Sequence, residues 1–89
     1  MQVQLFLKEK NVFLVLLDEK NKKVDEREWT DENNLLEKFF PALDDMFKRN
    51  DIDINDVEDF QLKTDIPEGY TTARIAQTII NTLNFAQKS

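Results

Sequence analysis

The first third of the chain alternates short apolar segments with polar turns, which is typical of β-strands joined by hairpins. Segment 3–7 alternates with glutamines, segment 12–17 is apolar at six consecutive positions, and segment 24–29 alternates with charges. The six-residue run predicts a strand covered on both faces, and the charges of 24–29 predict an exposed edge strand. Asn21, in the second turn, suits a left-handed backbone conformation. These segments predict a β-meander.

The spacing of apolar residues then changes to three and four, which predicts a helix. Thr30 is the expected N-cap, and Asp31 and Glu32 follow in the first turn, where the helix dipole favours anions. Pro41 lies inside this segment and is expected to kink or loosen the helix. The helix is expected to end at residues 50–51.

A shorter apolar segment and a second periodic segment complete the pattern. Segment 60–63 predicts a fourth strand, and Thr71 or Thr72 is expected to cap a second helix. One face of that helix is apolar, with Ile75 beside it: Ala73, Ala76, Ile79, Ile80 and Leu83. The predicted order is β-β-β-α-β-α. This is an α/β (α+β) arrangement in which a mixed sheet packs with two helices, and residues 1–89 form a single domain.

Composition narrows the classes of function. The chain has no cysteine and no histidine, which removes zinc sites, disulfides and the usual proton shuttle at neutral pH. Its net charge of −6 disfavours direct contact with nucleic acid. No signal-peptide pattern opens the chain, and no apolar run approaches the ~20 residues that span a bilayer. We expect a cytoplasmic chain that contacts no membrane and needs no metal or cofactor.

The acidic loop after the first helix resembles the start of a calcium-binding EF-hand. Asp51, Asp53 and Asn55 have the right spacing, but the required glycine and glutamate are replaced by Asp56 and Leu62. Helix-capping and turn formation explain these residues better.

Pairs of acidic residues and the loop 65–72 are two further candidate sites, for acid–base chemistry and for phosphate binding. The acidic pairs at 44–45 and at Glu26 and Glu28 lack any sign of a cleft, so a solvated face is the better interpretation. The loop 65–72 precedes a helix N-terminus, where anions bind, but it has one glycine and carries Glu68. A structural loop is favoured over a phosphate-binding loop.

The helices carry more apolar residues than a small sheet needs to be covered. Exposed apolar patches usually mark partner surfaces, so these positions are either core or a protein interface, and the pattern alone leaves both open. The candidate interface residues are Leu35, Leu36, Phe39, Phe40, Leu43, Phe47, Ile75, Ile79 and Leu83.

Four segments, in the same order, resemble the N-terminal lobe of the TsaB (YeaZ) family, which belongs to the actin-like ATPase superfamily with its RNase H-like lobes. They are LVLLDEKNKKVDERE at 14–28, LEKFFPALDDM at 36–46, the approach to a strand at 53–62, and IPEGYTTARIA at 66–76. In the last segment the residues in register with the family motif are Pro67, Tyr70, Thr71, Arg74 and Ile75.

The departures from the family pattern lie where the superfamily contacts nucleotide. The phosphate-facing turn of the first strand is replaced by residues 8–10, Lys-Glu-Lys, and a family histidine by Leu35. Four family glycines are replaced by Ile66, Glu68, Thr72 and Ala76. The second lobe, which completes the nucleotide site, has no counterpart here. The resemblance therefore implies the fold of the lobe and argues against ATP binding and hydrolysis.

The resemblance also implies a partner. TsaB is a non-catalytic protein that pairs, through the two helices of this lobe, with the TsaD enzyme in the threonylcarbamoyl modification of tRNA adenosine (t6A), or with itself. The leading hypothesis is thus a non-enzymatic module that forms a homodimer or binds a TsaD-like protein. A residual nucleotide-binding protein, which calorimetry with ATP and magnesium would detect, and an adaptor or regulator unrelated to tRNA are the alternatives.

Overall fold

The computed structural model describes residues 1–32, 34–65 and 70–88. For residues 87 and 88 the description covers the backbone only. Four strands are present: β1 (Gln2–Lys8), β2 (Asn11–Leu17), β3 (Lys23–Thr30) and β4 (Asp59–Thr64). Helix α1 (Leu35–Arg49) connects β3 to β4, and helix α2 (Thr71–Lys88) follows β4. The predicted order β-β-β-α-β-α and the α/β class are confirmed.

The strands form one mixed sheet in the order β3-β2-β1-β4. The β1–β2 and β2–β3 pairs are antiparallel, and the β1–β4 pair is parallel because α1 carries the chain back across the sheet. Glu9 and Asn21 have positive φ angles of 56° and 62° at the two hairpin turns. The left-handed conformation predicted for Asn21 is confirmed, and β3 is an edge strand as predicted.

Both helices pack on one face of the sheet. Alternate residues of β1 and β2 point to that face and form the core with residues of α1, α2 and β4. The largest fully buried side chains are Phe39, Phe60, Leu5, Leu14, Leu16, Met46, Val3, Val12 and Val57. The core thus lies between the sheet and the two helices, in a two-layer arrangement.

The sequence prediction for β2 was wrong in one respect. The helix-side residues Val12, Leu14 and Leu16 are covered, whereas Phe13 and Leu17 lie on the opposite face, where no described element of the chain packs. The run of apolar residues arises because both faces of β2 are apolar, although only one is covered by helices.

The start of α1 also differs from the prediction. Thr30 is the last residue of β3, and the N-cap is Asn34, whose side chain makes no capping hydrogen bond to the helix. The side chain of Asp31 accepts a hydrogen bond from the Asn34 N–H at 3.2 Å, so the loop, rather than the helix, uses the polar side chains expected at the first turn. The helix continues through Pro41 without interruption.

The acidic loop after α1 forms local structure. Asp51 adopts a positive φ of 53°, and a single 3-10 turn follows at Ile54–Asp56. The side chain of Asp53 accepts from the Asn55 N–H at 2.7 Å, and the side chain of Asp56 accepts from the Asp53 N–H at 3.0 Å. This reciprocal capping explains why acidic residues and Asn occur here.

Candidate protein-interaction surface

The structure separates the nine candidate interface residues into two groups. Five are buried between helices and sheet and cannot reach a partner while the chain stays folded: Leu35, Phe39, Leu43, Ile79 and Leu83. Phe47 is partly buried and packs against the core. For these positions the interface interpretation is corrected to core, because the stripe at spacings of three and four includes the residues that face the sheet.

The other three candidates are exposed large hydrophobic side chains. Leu36 is 54% exposed, Phe40 44% and Ile75 36%. Leu36 and Phe40 lie four residues apart on α1 and therefore on one face of it. Leu36 and Ile75 together line two shallow depressions between α1 and α2. We call Leu36, Phe40 and Ile75 the helix surface.

Local packing explains why these residues stay outside. Each is adjacent in sequence to a residue that points toward the core: Leu36 follows Leu35, Phe40 follows Phe39, and Ile75 precedes Ala76. A step of one residue rotates a helical side chain by about 100°, which carries it out of the contact with the sheet. The ring of Phe40 meets that of Phe39 edge to face, with centroids 5.3 Å apart.

Polar residues border the helix surface. The depression beside Ile75 is lined by Arg74 and Thr78, and the other is bordered by Asp31, Asn34 and Glu37 together with residues at the start of α2. The Thr72 hydroxyl donates to the Asp31 carboxylate at 3.2 Å, which ties the start of α2 to the loop before α1. An apolar centre with a polar rim is the usual organisation of a protein interface.

The sequence analysis did not single out Arg74 or Thr78 as members of this rim. The sequence contains one signal for their positions. Arg74 precedes Ile75 by one residue, and Thr78 follows it by three on the same helix, so both lie near Ile75. That signal becomes useful only when the exposed side of α2 is known.

Of the acidic pairs that the sequence offered as candidates, Asp45 holds β3 against α1, and Asp25 of β3, which was not a candidate, does the same. Arg27 forms an ion pair with Asp45, and Arg49 forms one with Asp25 at 2.6 Å. Asp44 pairs with Lys48 one helical turn away, at 3.0 Å. Glu26 bonds Lys23 within β3 at 2.9 Å, whereas Glu28 forms no ion pair among the described residues, so three of the four carboxylates considered are occupied in structural contacts.

The carboxylate of Asp25 accepts three hydrogen bonds in the contact between β3 and α1. Partial burial acts to raise the pKa of its carboxyl group, but hydrogen bonds from the Asn50 side chain, the Glu26 N–H and Arg49 outweigh burial. The pKa of Asp25 therefore lies below its ordinary value of 3.8. Such a shift stabilises the folded chain and indicates no acid–base role.

Three other types of site concern a metal ion, a membrane span and a phosphate-binding loop. No cluster of three or more His, Cys, Asp or Glu side chains that could hold a metal ion occurs among the described residues. None of the described helices is long and apolar enough to cross a membrane. Residues 66–69, the central part of the candidate phosphate loop, lie outside the described residues. They are also the first part of the family-like motif at 66–76.

Comparison with known proteins identifies the fold. The structure of YeaZ from Pseudomonas aeruginosa matches 99% of this chain with a TM-score of 0.77 and 19% sequence identity. A second structure, of a protein with similarity to peptidase YeaZ from Pseudomonas aeruginosa, matches the same share at the same TM-score and identity. No protein-family model and no curated protein matches the chain.

The class of fold is therefore that of YeaZ-like proteins, and the resemblance stated from the sequence is confirmed at the level of structure. The match covers 41% and 40% of the two YeaZ-like chains, so this chain spans about two-fifths of their length. At 19% identity the likeness establishes the fold and leaves activity and partners to be proposed.

Proposed function

We propose that this chain is a non-catalytic interaction module that pairs through its helix surface with the helices of a TsaD-like protein, or with a second copy, in cytoplasmic t6A modification of tRNA. The observation that carries the proposal is the exposure of Leu36, Phe40 and Ile75 on two helices that contribute most of their other apolar residues to the core.

Burial of these side chains supplies the driving force for pairing. Removing a large apolar side chain from water contributes roughly 1.5–3 kcal/mol when burial is complete. Aromatic anchors such as Phe40 often carry much of the energy of an interface. Packing helix pairs against helix pairs would bury all three residues in a bundle of the kind that four helices form.

The non-enzymatic character of the proposal has separate support. The turn that faces phosphate in the superfamily holds Lys8, Glu9 and Lys10 here, and the described acidic groups near α1 are engaged with Arg27, Lys48 and Arg49. The pKa of Asp25, one of these groups, lies below its ordinary value because of hydrogen bonds from Asn50, the Glu26 N–H and Arg49, and a lowered pKa makes a carboxyl group a poor general acid or base at neutral pH.

The experiment tests binding to a TsaD-like protein from the same organism by calorimetric titration, and self-association by light scattering over a wide concentration range. Leu36→Glu should weaken binding of the TsaD-like protein, and any self-association through the helices, by about tenfold or more, because a charge would be buried without a partner. Phe85→Glu is the control, since Phe85 is 78% exposed on α2 and lies about 15 Å along the helix from Ile75.

Binding of the TsaD-like protein that Leu36→Glu leaves unchanged would contradict the assignment of the helix surface. Absence of binding to the TsaD-like protein, together with absence of helix-dependent self-association, would contradict the proposed function.

A further inference from the structure

The face of the sheet opposite the helices carries a second apolar surface. Alternate residues of β1 and β2 point to this side, and they include Phe6, Phe13, Val15 and Leu17. These four residues line a shallow cavity of about 670 Å³. We call this the open sheet face, because none of the described elements packs on it.

The composition of this face is unusual for a surface exposed to water. An antiparallel sheet with one solvated face normally shows alternation of apolar and polar residues along each strand. Strand β2 breaks that rule at Phe13, Val15 and Leu17, and β1 breaks it at Phe6. Phe6, Phe13 and Leu17 are partly exposed, and Val15 is buried among its neighbours, so the middle of the sheet carries a contiguous apolar patch rimmed by charges. Such patches usually mark a surface that a partner covers.

The register places two unpaired charges at opposite ends of one row. Glu28 lies beside Phe13, Phe13 beside Phe6, and Phe6 beside Lys63, so the row runs from an acid on β3 to a base on β4. Among the described residues, neither Glu28 nor Lys63 has an ion-pair partner within the chain.

A second row has the opposite order of charges. Lys23 lies beside Leu17, next to a β-bulge, Leu17 beside Gln2, and Gln2 beside Asp59. In this row both charges already have contacts within the chain, since Lys23 bonds Glu26 at 2.9 Å and Asp59 accepts from Gln61 at 2.9 Å. The row is compatible with a partner of complementary charge but does not require one.

These rows match a second copy of the same surface. A two-fold axis that runs parallel to the strands, midway between two open faces, places β3 of one copy over β4 of the other and keeps each row at its own level. Glu28 then faces Lys63 of the second copy, and Phe13 faces Phe6 of the second copy. Lys23 faces Asp59 of the second copy in the other row.

The alternative two-fold axis, perpendicular to the strands, gives a poorer match. It places each strand over its own copy in reverse direction and brings Phe6 of one copy over Gln2 of the other. Glu28 and Lys63 then face Lys23 and Asp59 of the second copy, two charges that already have contacts within their own chain. The parallel axis is favoured because it stacks the aromatic centre and pairs the two charges that lack partners, in the aligned sheet packing common to β-sandwiches.

We propose that the occupant of the open sheet face is a second copy of this chain, packed as a face-to-face β-sandwich about a two-fold axis parallel to the strands. Four strands ~4.8 Å apart and about six residues long form a face of roughly 400 Å² in projection per copy. The two copies together contribute about 800 Å² in projection, which corresponds to a weak, transient dimer rather than to a standard-size interface.

The test uses a charge exchange, with self-association of the whole chain measured by light scattering and analytical ultracentrifugation. Lys63→Glu and Glu28→Lys should each raise the dimer dissociation constant by about tenfold, because each creates two like-charge contacts per dimer. The double variant should restore the affinity of the original chain to within about threefold. Lys38→Glu, an equal charge change on exposed α1, is the control.

These outcomes are separable from those of the helix surface, which lies on the other side of the sheet. A monomer up to millimolar concentration would overturn the sandwich, and so would a dimer that Leu36→Glu dissociates and Lys63→Glu leaves intact. Failure of the double exchange to restore affinity would overturn the proposed axis. The sandwich is independent of whether a TsaD-like protein binds.

Discussion

The two faces of the sheet use the same strand in different ways. On β2, Leu14 points into the core and is fully buried, whereas Leu17 points to the open face and is only partly covered by its neighbours. The residue type is the same, and the difference lies in what packs above it. The comparison shows that an apolar residue in a strand favours burial. Its identity does not indicate whether a helix of the same chain or another molecule packs on it.

The largest effect expected from this comparison is on stability. Leu14→Ala should lower the free energy of unfolding by about 2–5 kcal/mol, because it removes buried methyl groups and leaves a cavity. Leu17→Ala, the matched change on the open face, should cost about 1 kcal/mol or less when measured at low concentration, where any dimer is dissociated. Urea denaturation followed by the fluorescence of Trp29, the single tryptophan, measures both. Equal losses would show that the open face is covered in the monomer.

The next effect concerns the outer edge of the sheet. The Asn84 side chain on α2 accepts from the Phe60 N–H at 3.0 Å and donates to the Phe60 carbonyl at 2.9 Å, so it occupies the place of a neighbouring strand. Asn84→Ala should lower stability by about 1–3 kcal/mol, because both backbone groups lose their partner. The amide of Asn81 bonds Gln77 on the exposed side of α2, so Asn81→Ala is the matched control and should cost little. Similar losses in both variants would contradict the role of Asn84.

The smallest effect is the pH dependence of the β3–α1 contact. The pKa of Asp25 is lower in the folded chain than its ordinary value, so the unfolded chain binds its proton first. The stabilisation is fully present above pH ~5 and is lost as the pH falls through the folded pKa, below about 4. Asp25→Asn should cost on the order of 1 kcal/mol at pH 7.

The difference between this variant and the original chain should shrink toward pH 3, as measured by urea denaturation at each pH. A difference that is constant from pH 7 to pH 3 would show that the charge of Asp25 contributes nothing.

Some features of the fold were readable from single segments. The polar turn with Asn21, the charged edge strand β3 and the change from strand to helix spacing after Thr30 are local patterns, because hydrogen bonding and side-chain direction repeat with fixed periods in each element. The family-like segments in their order also led to the correct fold. The cap of α1 was misplaced because several residues before it, Thr30, Asp31 and Asn34 among them, suit a capping position.

The candidate surface was only partly readable. The nine predicted residues contained the helix surface, but five of them belong to the core. The stripe containing Leu35 and Phe39 and the one containing Leu36 and Phe40 have the same spacing and differ by one residue. Which one faces the sheet depends on how α1 is rotated about its axis, and that rotation is set by long-range packing. Asn84 was missed because its partner, Phe60, is 24 residues away.

The sequence by itself determined the order of elements, the absence of cysteine and histidine chemistry, and the supply of apolar residues beyond what one small core uses. Only the tertiary structure decided where that excess lies, on a helix surface and on an open sheet face. The physical reason is that periodicity fixes which residues share a face of an element, whereas burial depends on what the rest of the chain places against that face.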